Sequence, residues 1–333
     1  MAETNRKKRT ELKGLKHTQV EKFEGVVEKL KAMNAKRIFI HFPEGIKVKL
    51  LELTDKFENA GFESVLCMER TYGACDVRED EAKRLECDAI VHVAHEDYGV
   101  KTELPVIYWD YFLEVDPLPV LEKEFHKLDK YKNIGLVTSL QFVPTLPKVA
   151  EYLETHGKKV FLHKSLQFAG QMLGCRIGAG LAVESKVDAF LCVSAGKFYG
   201  LGLAVFTNKP ILNLDLEKQQ IHEMAEVKKR VQKITEWNKA QLKEARSVGL
   251  IVSWKRGQMF GNPFKVKQQL QKEGKRVYVL GLDEFSNDKI EGLKLDVLVN
   301  FCCPRIGTDD LERTKIPLIN WYHIQPELSI EKT

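Results

Sequence analysis

The stretch Leu104-Pro-Val-Ile-Tyr-Trp109 recurs twice in the chain, as Lys209-Pro-Ile-Leu-Asn-Leu214 and as Ile316-Pro-Leu-Ile-Asn-Trp321. Each copy closes a unit in which a strand, a helix, a second strand, a second helical stretch and a third apolar strand follow one another. Strands that alternate with helices form right-handed βαβ units and a mainly parallel sheet. The repeats therefore predict an α/β fold of three pseudo-equivalent small domains. Each is expected to be a mainly parallel four-stranded sheet flanked by helices, and the three are expected to surround a central site.

The repeats also predict where the domains begin and end. We expect a basic N-terminal arm over residues 1–19 and α/β repeats over 20–116, 117–217 and 218–333. A long amphipathic helix, from about residue 216 to 243, leads into the third repeat, and its apolar stripe predicts a seam between domains or subunits. The capping box Thr18-Gln-Val-Glu21 predicts the start of the first helix.

Composition excludes several classes of protein. The 333 residues are 44% hydrophobic and 30% charged, which is typical of a soluble globular protein of two or three domains. No apolar run has the length of a signal peptide or a membrane span, so we expect a cytoplasmic protein. Most of the formal charge of +5 lies in residues 1–19, and the nearly neutral remainder predicts no direct nucleic-acid binding.

The seven cysteines show no regular spacing and do not describe a disulfide framework. Three of them are expected in the core. Cys67 ends the second strand of the first repeat, Cys87 lies on a helix just before a strand, and Cys192 lies inside an apolar strand. Three others, one per repeat, lie in glycine- or proline-bearing turns that follow strands. We predict that these three bind a metal: Cys75, Cys175 and Cys303.

The pair Cys302-Cys303 follows the mostly apolar run 295–301, which predicts a buried parallel strand. Ligands of open α/β sheets bind beyond the carboxyl ends of such strands. Adjacent side chains of a strand point to opposite faces, and Pro304 favours an extended turn, so we predict Cys303 as the ligand and Cys302 as a packing residue. One irregularity is that Cys75 and Cys175 follow the second strand of their repeats, whereas Cys303 follows the third.

Three thiolates that converge from three domains are the ligand set of a 4Fe-4S cluster with one iron open for substrate. A three-cysteine zinc site is the alternative, and His163 or His323 could complete it. The spacing of the cysteines does not decide between these metals.

Five phrases occur in order along most of the chain: Phe42-Pro-Glu-Gly45, Tyr72-Gly-Ala-Cys75-Asp76, Gly174-Cys-Arg176, Gly257-Gln258, and Cys303-Pro-Arg-Ile306 followed by Asp309-Asp310. Together they resemble the archaeal 2-(3-amino-3-carboxypropyl)histidine synthase family, which begins diphthamide formation on elongation factor 2. The resemblance implies a homodimer with a 4Fe-4S cluster in each subunit, held by the three predicted cysteines, and S-adenosylmethionine at the open iron.

The resemblance further implies the reaction. In that family an electron from the reduced cluster cleaves the bond from the sulfonium to the methionine γ-carbon. The 3-amino-3-carboxypropyl radical adds to C2 of a histidine imidazole on elongation factor 2, and methylthioadenosine remains. An external electron donor is therefore expected as a partner.

Three polar residues beside the motifs are candidates for binding S-adenosylmethionine. An arginine fork suits the carboxylate of this cofactor, so Arg305 and Arg176, each close to a predicted ligand in sequence, are candidates for that contact. Gln258 is a candidate for a hydrogen bond to the cofactor or the incoming imidazole. Asp76 is expected to cap a helix, without a catalytic role.

Two other functions stay open at this point. Quinolinate synthase also combines three α/β domains with one cluster cysteine from each, but it needs a phosphate site that this sequence does not display convincingly. The chain is alternatively a noncatalytic partner subunit whose cluster transfers electrons.

Overall fold

The computed structural model describes residues 22–309, 311 and 314–324, so the expected basic arm and the capping box Thr18–Glu21 lie outside the described residues. The chain divides into two compact units. The first comprises the described residues up to Glu114 together with Lys255–Gly257, and the second comprises the other described residues. No helix among the described residues is long and apolar enough to cross a membrane.

The first unit contains one sheet with helices on both faces. Its elements are α1 (Phe23–Ala32), β1 (Arg37–His41), α2 (Leu50–Asn59), β2 (Glu63–Leu66), α3 (Glu79–Arg84), β3 (Ala89–Val93) and β4 (Val106–Trp109), with a 3-10 turn at Glu44–Lys49. The strands are all parallel, in the order β2-β1-β3-β4. Alternate residues of β1 pack into separate apolar clusters, with Ile38 and Ile40 in one and Phe39 in the other, as the period of a strand that is covered on both faces requires.

The second unit begins with a five-stranded sheet. Its elements are α4 (Leu118–Glu124), β5 (Asn133–Thr138), α5 (Leu146–Thr155), β6 (Lys159–Phe161), α6 (Gly178–Leu181), β7 (Ala189–Ser194), α7 (Phe198–Ala204), β8 (Ile211–Asp215) and β9 (Gln220–Glu223), with 3-10 turns at Phe125–Leu128, Leu140–Thr145 and Glu184–Lys186. The order is β6-β5-β7-β8-β9. Strand β9 runs antiparallel to β8, whereas the other pairs are parallel.

Strand β9 corrects two expectations. The long helix, expected from about residue 216, is α8 (Ala225–Glu244), and the second sheet has five strands rather than four. The carboxylate of Asp215 accepts hydrogen bonds from two backbone N–H groups in a tight turn after β8, and Gln219 has a φ of 55°, which is incompatible with a helix. Ile221 then pairs with Leu214 across the sheet and is 2% exposed, so its apolar spacing arises from a strand.

The second unit also contains a four-stranded parallel sheet, in the order β11-β10-β12-β13. Its elements are β10 (Ser247–Ser253), α9 (Pro263–Lys272), β11 (Arg276–Leu282), α10 (Asn287–Ile290), β12 (Val297–Asn300), α11 (Ile306–Asp309) and β13 (Leu318–Asn320), with a 3-10 turn at Trp321–His323. The three sheets confirm the predicted α/β class, with mainly parallel sheets flanked by helices.

The long helix α8 forms the predicted seam, between the two sheets of the second unit. Val227 and Val231 pack against the apolar core of the five-stranded sheet, and Val231 and Ile234 pack against that of the four-stranded sheet. The amide of Asn238, which is 4% exposed, donates a hydrogen bond of 2.8 Å to the carbonyl of Leu318 in β13. The helix therefore holds these two sheets together.

The carboxyl ends of the strands carry a row of paired side chains in each sheet. Each row consists of three residues at the same level on neighbouring strands: one on the first strand of the repeat, one on the third strand, and one on the strand of the repeated phrase, three positions after its proline. The three rows are His41–His92–Tyr108, Val137–Cys192–Asn213 and Ile251–Asn300–Asn320. The sheets are thus equivalent in backbone but differ in the chemistry of this row.

Candidate functional site

The seven cysteines fall into two groups by burial. The three predicted ligands, Cys75, Cys175 and Cys303, are half-buried, and the other four are buried. The prediction of core positions for Cys67, Cys87 and Cys192 is therefore confirmed, although Cys87 follows α3, which ends at Arg84, rather than lying on it. Burial raises the pKa of the thiols of Cys192 and Cys302 to about 12, which disfavours the thiolate that metal ligation requires.

Each half-buried cysteine lies in a hydrogen-bonded turn beyond a strand. The N–H of Asp76 donates to the carbonyl of Gly73, that of Leu173 to Arg176, and that of Ile306 to Cys303, with distances from 2.9 to 3.1 Å. The turns follow β2, β6 and β12 respectively, so the structure retains the irregularity expected from the sequence. Backbone contacts, rather than helix positions, therefore fix these thiols.

The turn of Cys75 is flanked by a buried ion-pair cluster in the first unit. The carboxylate of Asp76 lies 2.6 Å from Nζ of Lys255 and 3.1 Å from Nε of Arg78. Asp76 is 1% exposed and caps no helix, because α3 begins three residues later and its N-cap position is Arg78. The expected capping role is wrong, since a tertiary partner engages this carboxylate. Lys255 was not predicted, although it stands two residues before the Gly257-Gln258 phrase.

Three histidines lie close together in the same unit, of which His41 and His92 are buried and His95 is half-buried. His41 and His92 are opposite each other on β1 and β3 with ring centroids 4.7 Å apart, and His95 lies 5.0 Å from His92. Among the described residues neither ring nitrogen of His41 has a hydrogen-bond partner. Burial lowers the pKa of His41 to about 3 and that of His95 to about 4, and it lowers the pKa of His92 well below its usual value. All three are therefore neutral in the folded protein near pH 7. The sequence could have indicated the pairing of His41 with His92, because each is a histidine near the carboxyl end of a mostly apolar strand.

Asparagine side chains hold the turn of Cys303. The amide of Asn300 donates to the carbonyl of Cys303 at 2.9 Å, and the amide of Asn320 donates to the carbonyl of Pro304 at 2.9 Å. The two amides are joined by a 2.7 Å hydrogen bond. Cys302 packs in the adjoining apolar cluster and is 1% exposed, as predicted for a packing residue.

Arg305 connects the turn of Cys303 with that of Cys175 within the second unit. Its guanidinium binds the carboxylate of Asp309 through two nitrogens, at 2.5 and 2.6 Å, and donates to the carbonyl of Phe198 at 2.7 Å. It also lies 4.1 Å from the centre of the Phe198 ring. A Cβ atom added to Gly174 would meet this ring at 2.5 Å and Cδ of Arg305 at 3.2 Å, so the Cys175 turn packs against both residues.

The other candidates occupy varied surroundings. Arg176 is half-buried in the Cys175 turn, and Gln258 is 5% exposed in the loop after β10. His163 is exposed, and burial lowers the pKa of His323 to about 4. Neither histidine belongs to a metal-binding group among the described residues.

The predicted convergence of three thiolates stays a prediction. Cys75 belongs to the first unit, and Cys175 and Cys303 belong to the second. Within residues 22–309, 311 and 314–324, no group of three or more His, Cys, Asp or Glu side chains is arranged to hold a metal ion. The donor set nevertheless fits a thiolate-bound cluster, because the three predicted cysteines alone among the seven are outside the core.

Comparison with known proteins gives a consistent result. The family model for diphthamide synthesis proteins matches residues 42–332. The 2-(3-amino-3-carboxypropyl)histidine synthase of Pyrococcus horikoshii is 29% identical over 302 residues, which are 88% of this chain and 86% of that protein. Subunit 1 of the Saccharomyces cerevisiae synthase is 26% identical over 306 residues, 84% of this chain and 68% of the relative.

The crystal structure of Dph2 from Pyrococcus horikoshii with a 4Fe-4S cluster has a similar fold. The TM-score is 0.82 at 27% identity, over 92% of this chain and 89% of that one.

Replacing His41 should make the free energy of unfolding depend less steeply on pH. Unfolded histidines titrate near pH 6.5, whereas the buried ones stay neutral to about pH 4 or below, so the free energy of unfolding should fall as the pH falls below 6.5. His41→Val should reduce this slope by about 1.4 kcal/mol per pH unit. Val137 and Ile251 occupy the same position in the other sheets, so the variant should fold. Denaturant unfolding between pH 7.5 and 5 measures the slope, and identical slopes for both proteins would contradict the prediction.

Asp309→Asn should destabilise the second unit by about 1–3 kcal/mol, because it leaves the guanidinium of Arg305 largely buried without its charged partner. The matched control is Glu291→Gln, which weakens the exposed pair of Glu291 with Lys315 and should cost less than about 1 kcal/mol. Chemical denaturation measures both values. Equal effects of the two substitutions would show that the Arg305–Asp309 pair does not support the fold.

Proposed function

The chain belongs to the diphthamide synthesis family, and from that premise we propose that it transfers a 3-amino-3-carboxypropyl group from S-adenosylmethionine to a histidine of elongation factor 2, the first step of diphthamide biosynthesis. The observation that carries the proposal is the separation of three half-buried cysteines, in turns beyond parallel strands, from four cysteines in the core. The relatives named as synthases and the cluster in a solved structure of similar fold support it.

In this proposal Cys75, Cys175 and Cys303 hold a 4Fe-4S cluster, one cysteine from each of the domains 20–116, 117–217 and 218–333. When bound, the cluster would supply one electron for cleavage of the sulfonium bond to the methionine γ-carbon. The chain's own contribution is to keep three thiolates at fixed positions. The hydrogen-bonded turns and the amides of Asn300 and Asn320 support this role.

Binding of S-adenosylmethionine needs a cation for its carboxylate. We assign this contact to Arg176 and Arg305, which flank Cys175 and Cys303 in sequence, and a hydrogen bond to Gln258. Arg305 would have to leave Asp309 to bind a second carboxylate through the same two nitrogens. Both arginines stay candidates for this contact.

The proposed assembly is a homodimer that receives electrons from an external donor and acts on elongation factor 2 in the cytoplasm. The homodimer follows from the resemblance to the archaeal synthase family, and the Pyrococcus horikoshii synthase is 29% identical to this chain.

Anaerobically purified protein with S-adenosylmethionine and dithionite should produce methylthioadenosine, measured by liquid chromatography. Archaeal elongation factor 2 added to the reaction should gain one 3-amino-3-carboxypropyl group, measured by mass spectrometry. An intact cluster without methylthioadenosine would refute the proposal and leave a quinolinate synthase-like enzyme as the alternative. Modification that required a second, paralogous chain would instead indicate a partner subunit for electron transfer.

Replacing any one of the three ligands should remove most of the iron. Cys75→Ala, Cys175→Ala and Cys303→Ala should each lose the visible absorption of the cluster, because three thiolates are the whole protein ligand set. Cys302→Ala is the matched control and should retain it, since this neighbouring thiol packs in the core. Iron analysis and absorption spectra of anaerobically prepared variants measure the result. Cluster loss in Cys302→Ala with retention in Cys303→Ala would reverse the assignment.

A further inference from the structure

The segment Lys255–Gly257 belongs to the first unit, and it contacts Cys75 and Asp76 of the Cys75 turn. Nζ of Lys255 lies 2.6 Å from the carboxylate of Asp76 and 5.5 Å from the centre of the Tyr72 ring. Lys255 thus spans the phrase Tyr72-Gly-Ala-Cys75-Asp76 from its first residue to its last.

The backbone of the same segment contacts Cys75 directly. The N–H of Gly257 donates to the carbonyl of Cys75 at 2.9 Å. A Cβ atom on Gly257 would lie 2.6 Å from that carbonyl oxygen and 2.7 Å from Cα of Cys75, so only glycine permits this approach. Arg256 adds ion pairs to Glu79 at 2.6 Å and Asp80 at 2.9 Å.

Burial makes the pair of Lys255 and Asp76 important for the turn. Their side chains are 2% and 1% exposed, so loss of Asp76 would remove the counter-ion of a buried ammonium, and loss of Lys255 would remove the nearer of two cations from a buried carboxylate. Arg78, with its Nε 3.1 Å from Asp76, is a second cation at the same carboxylate. Arg78 also lies 3.3 Å from the carboxylate of Glu81, so the cluster as a whole carries no net formal charge and depends on Lys255 for this balance.

We propose that Lys255 is a positioning residue for Cys75: it fixes the turn that carries this thiol and offsets the negative charge of Asp76 next to it. The inference rests on the proposed function insofar as Cys75 ligates the cluster. A carboxylate beside a cluster opposes its reduction, because reduction adds a negative charge. Lys255 therefore keeps the surroundings of Cys75 favourable both to the thiolate and to the reduced cluster.

Hydrogen exchange of the protein without cluster tests the positioning role. Lys255→Met and Asp76→Asn each break the buried pair, and peptides covering residues 70–80 should exchange at least about tenfold faster in both variants. Lys56→Met is the matched control, because it removes an exposed lysine that pairs with Glu52 on α2 of the same unit, and it should leave these peptides unchanged. Unchanged exchange of these peptides in both Lys255→Met and Asp76→Asn would overturn the proposal. The two variants provide independent tests if one of them fails to fold.

The midpoint potential of the reconstituted cluster tests the electrostatic role. Lys255→Met removes a positive charge and should lower the potential, Asp76→Asn removes a negative charge and should raise it, and Lys56→Met should not move it. A shift of the same sign in the first two variants would show that disorder of the turn, not charge, is responsible, and would overturn this part. If wild-type protein takes up no iron, the proposed function fails, and hydrogen exchange still decides the role of Lys255.

Discussion

Beyond the carboxyl end of a parallel strand, the backbone N–H and C=O groups no longer form hydrogen bonds with the neighbouring strand. The loops that follow therefore need other hydrogen-bond partners to hold their conformation. In the four-stranded sheet of the second unit, Asn300 and Asn320 supply those contacts to the carbonyls of Cys303 and Pro304. In the five-stranded sheet, Asn213 donates to the carbonyl of Gly196 at 2.8 Å from the position equivalent to Asn320. The repeated phrase thus has a structural purpose, because its last polar residue anchors the loop that follows the neighbouring strand.

The first sheet solves the same problem with different chemistry. The position of the asparagine is taken by Tyr108, whose ring stacks on His92 at 5.6 Å. Its phenol makes a hydrogen bond with the side chain of Asp97 in the loop after β3, so a hydroxyl contacts that loop where the other sheets use an amide. The anchor near the half-buried cysteine is instead the buried pair of Asp76 and Lys255. Such a pair carries a larger desolvation cost than neutral amide bonds, and its geometry is correspondingly more sensitive to loss of one partner.

Features that depend on local periodicity can be predicted from the sequence. Features that depend on contacts between residues far apart in the sequence cannot. The sequence predicts the three mainly parallel sheets, their strand ends and the burial of Cys302 from alternation, prolines and the position of that thiol relative to its strand. Strand β9 was predicted as part of a helix, because the position of Ile221 fits the helical period of 3.6 residues as well as the strand period of two. The turn at Asp215 and Gln219 excludes the helix. The contact of Asp76 with Lys255 joins residues 179 positions apart, for which no spacing rule exists.

Arg305 illustrates how geometry refines an argument from residue type. An arginine near a predicted ligand suits a cofactor carboxylate, but here Asp309, four residues on, already meets two of its nitrogens. Exchange of one carboxylate for another would conserve the ion pair, whereas movement of the guanidinium would lose the contacts with Phe198 and the packing against Gly174. The motif Cys303-Pro-Arg-Ile with its following aspartate therefore contains its own counter-ion. This arrangement favours Arg305 as a link between the turns of Cys175 and Cys303.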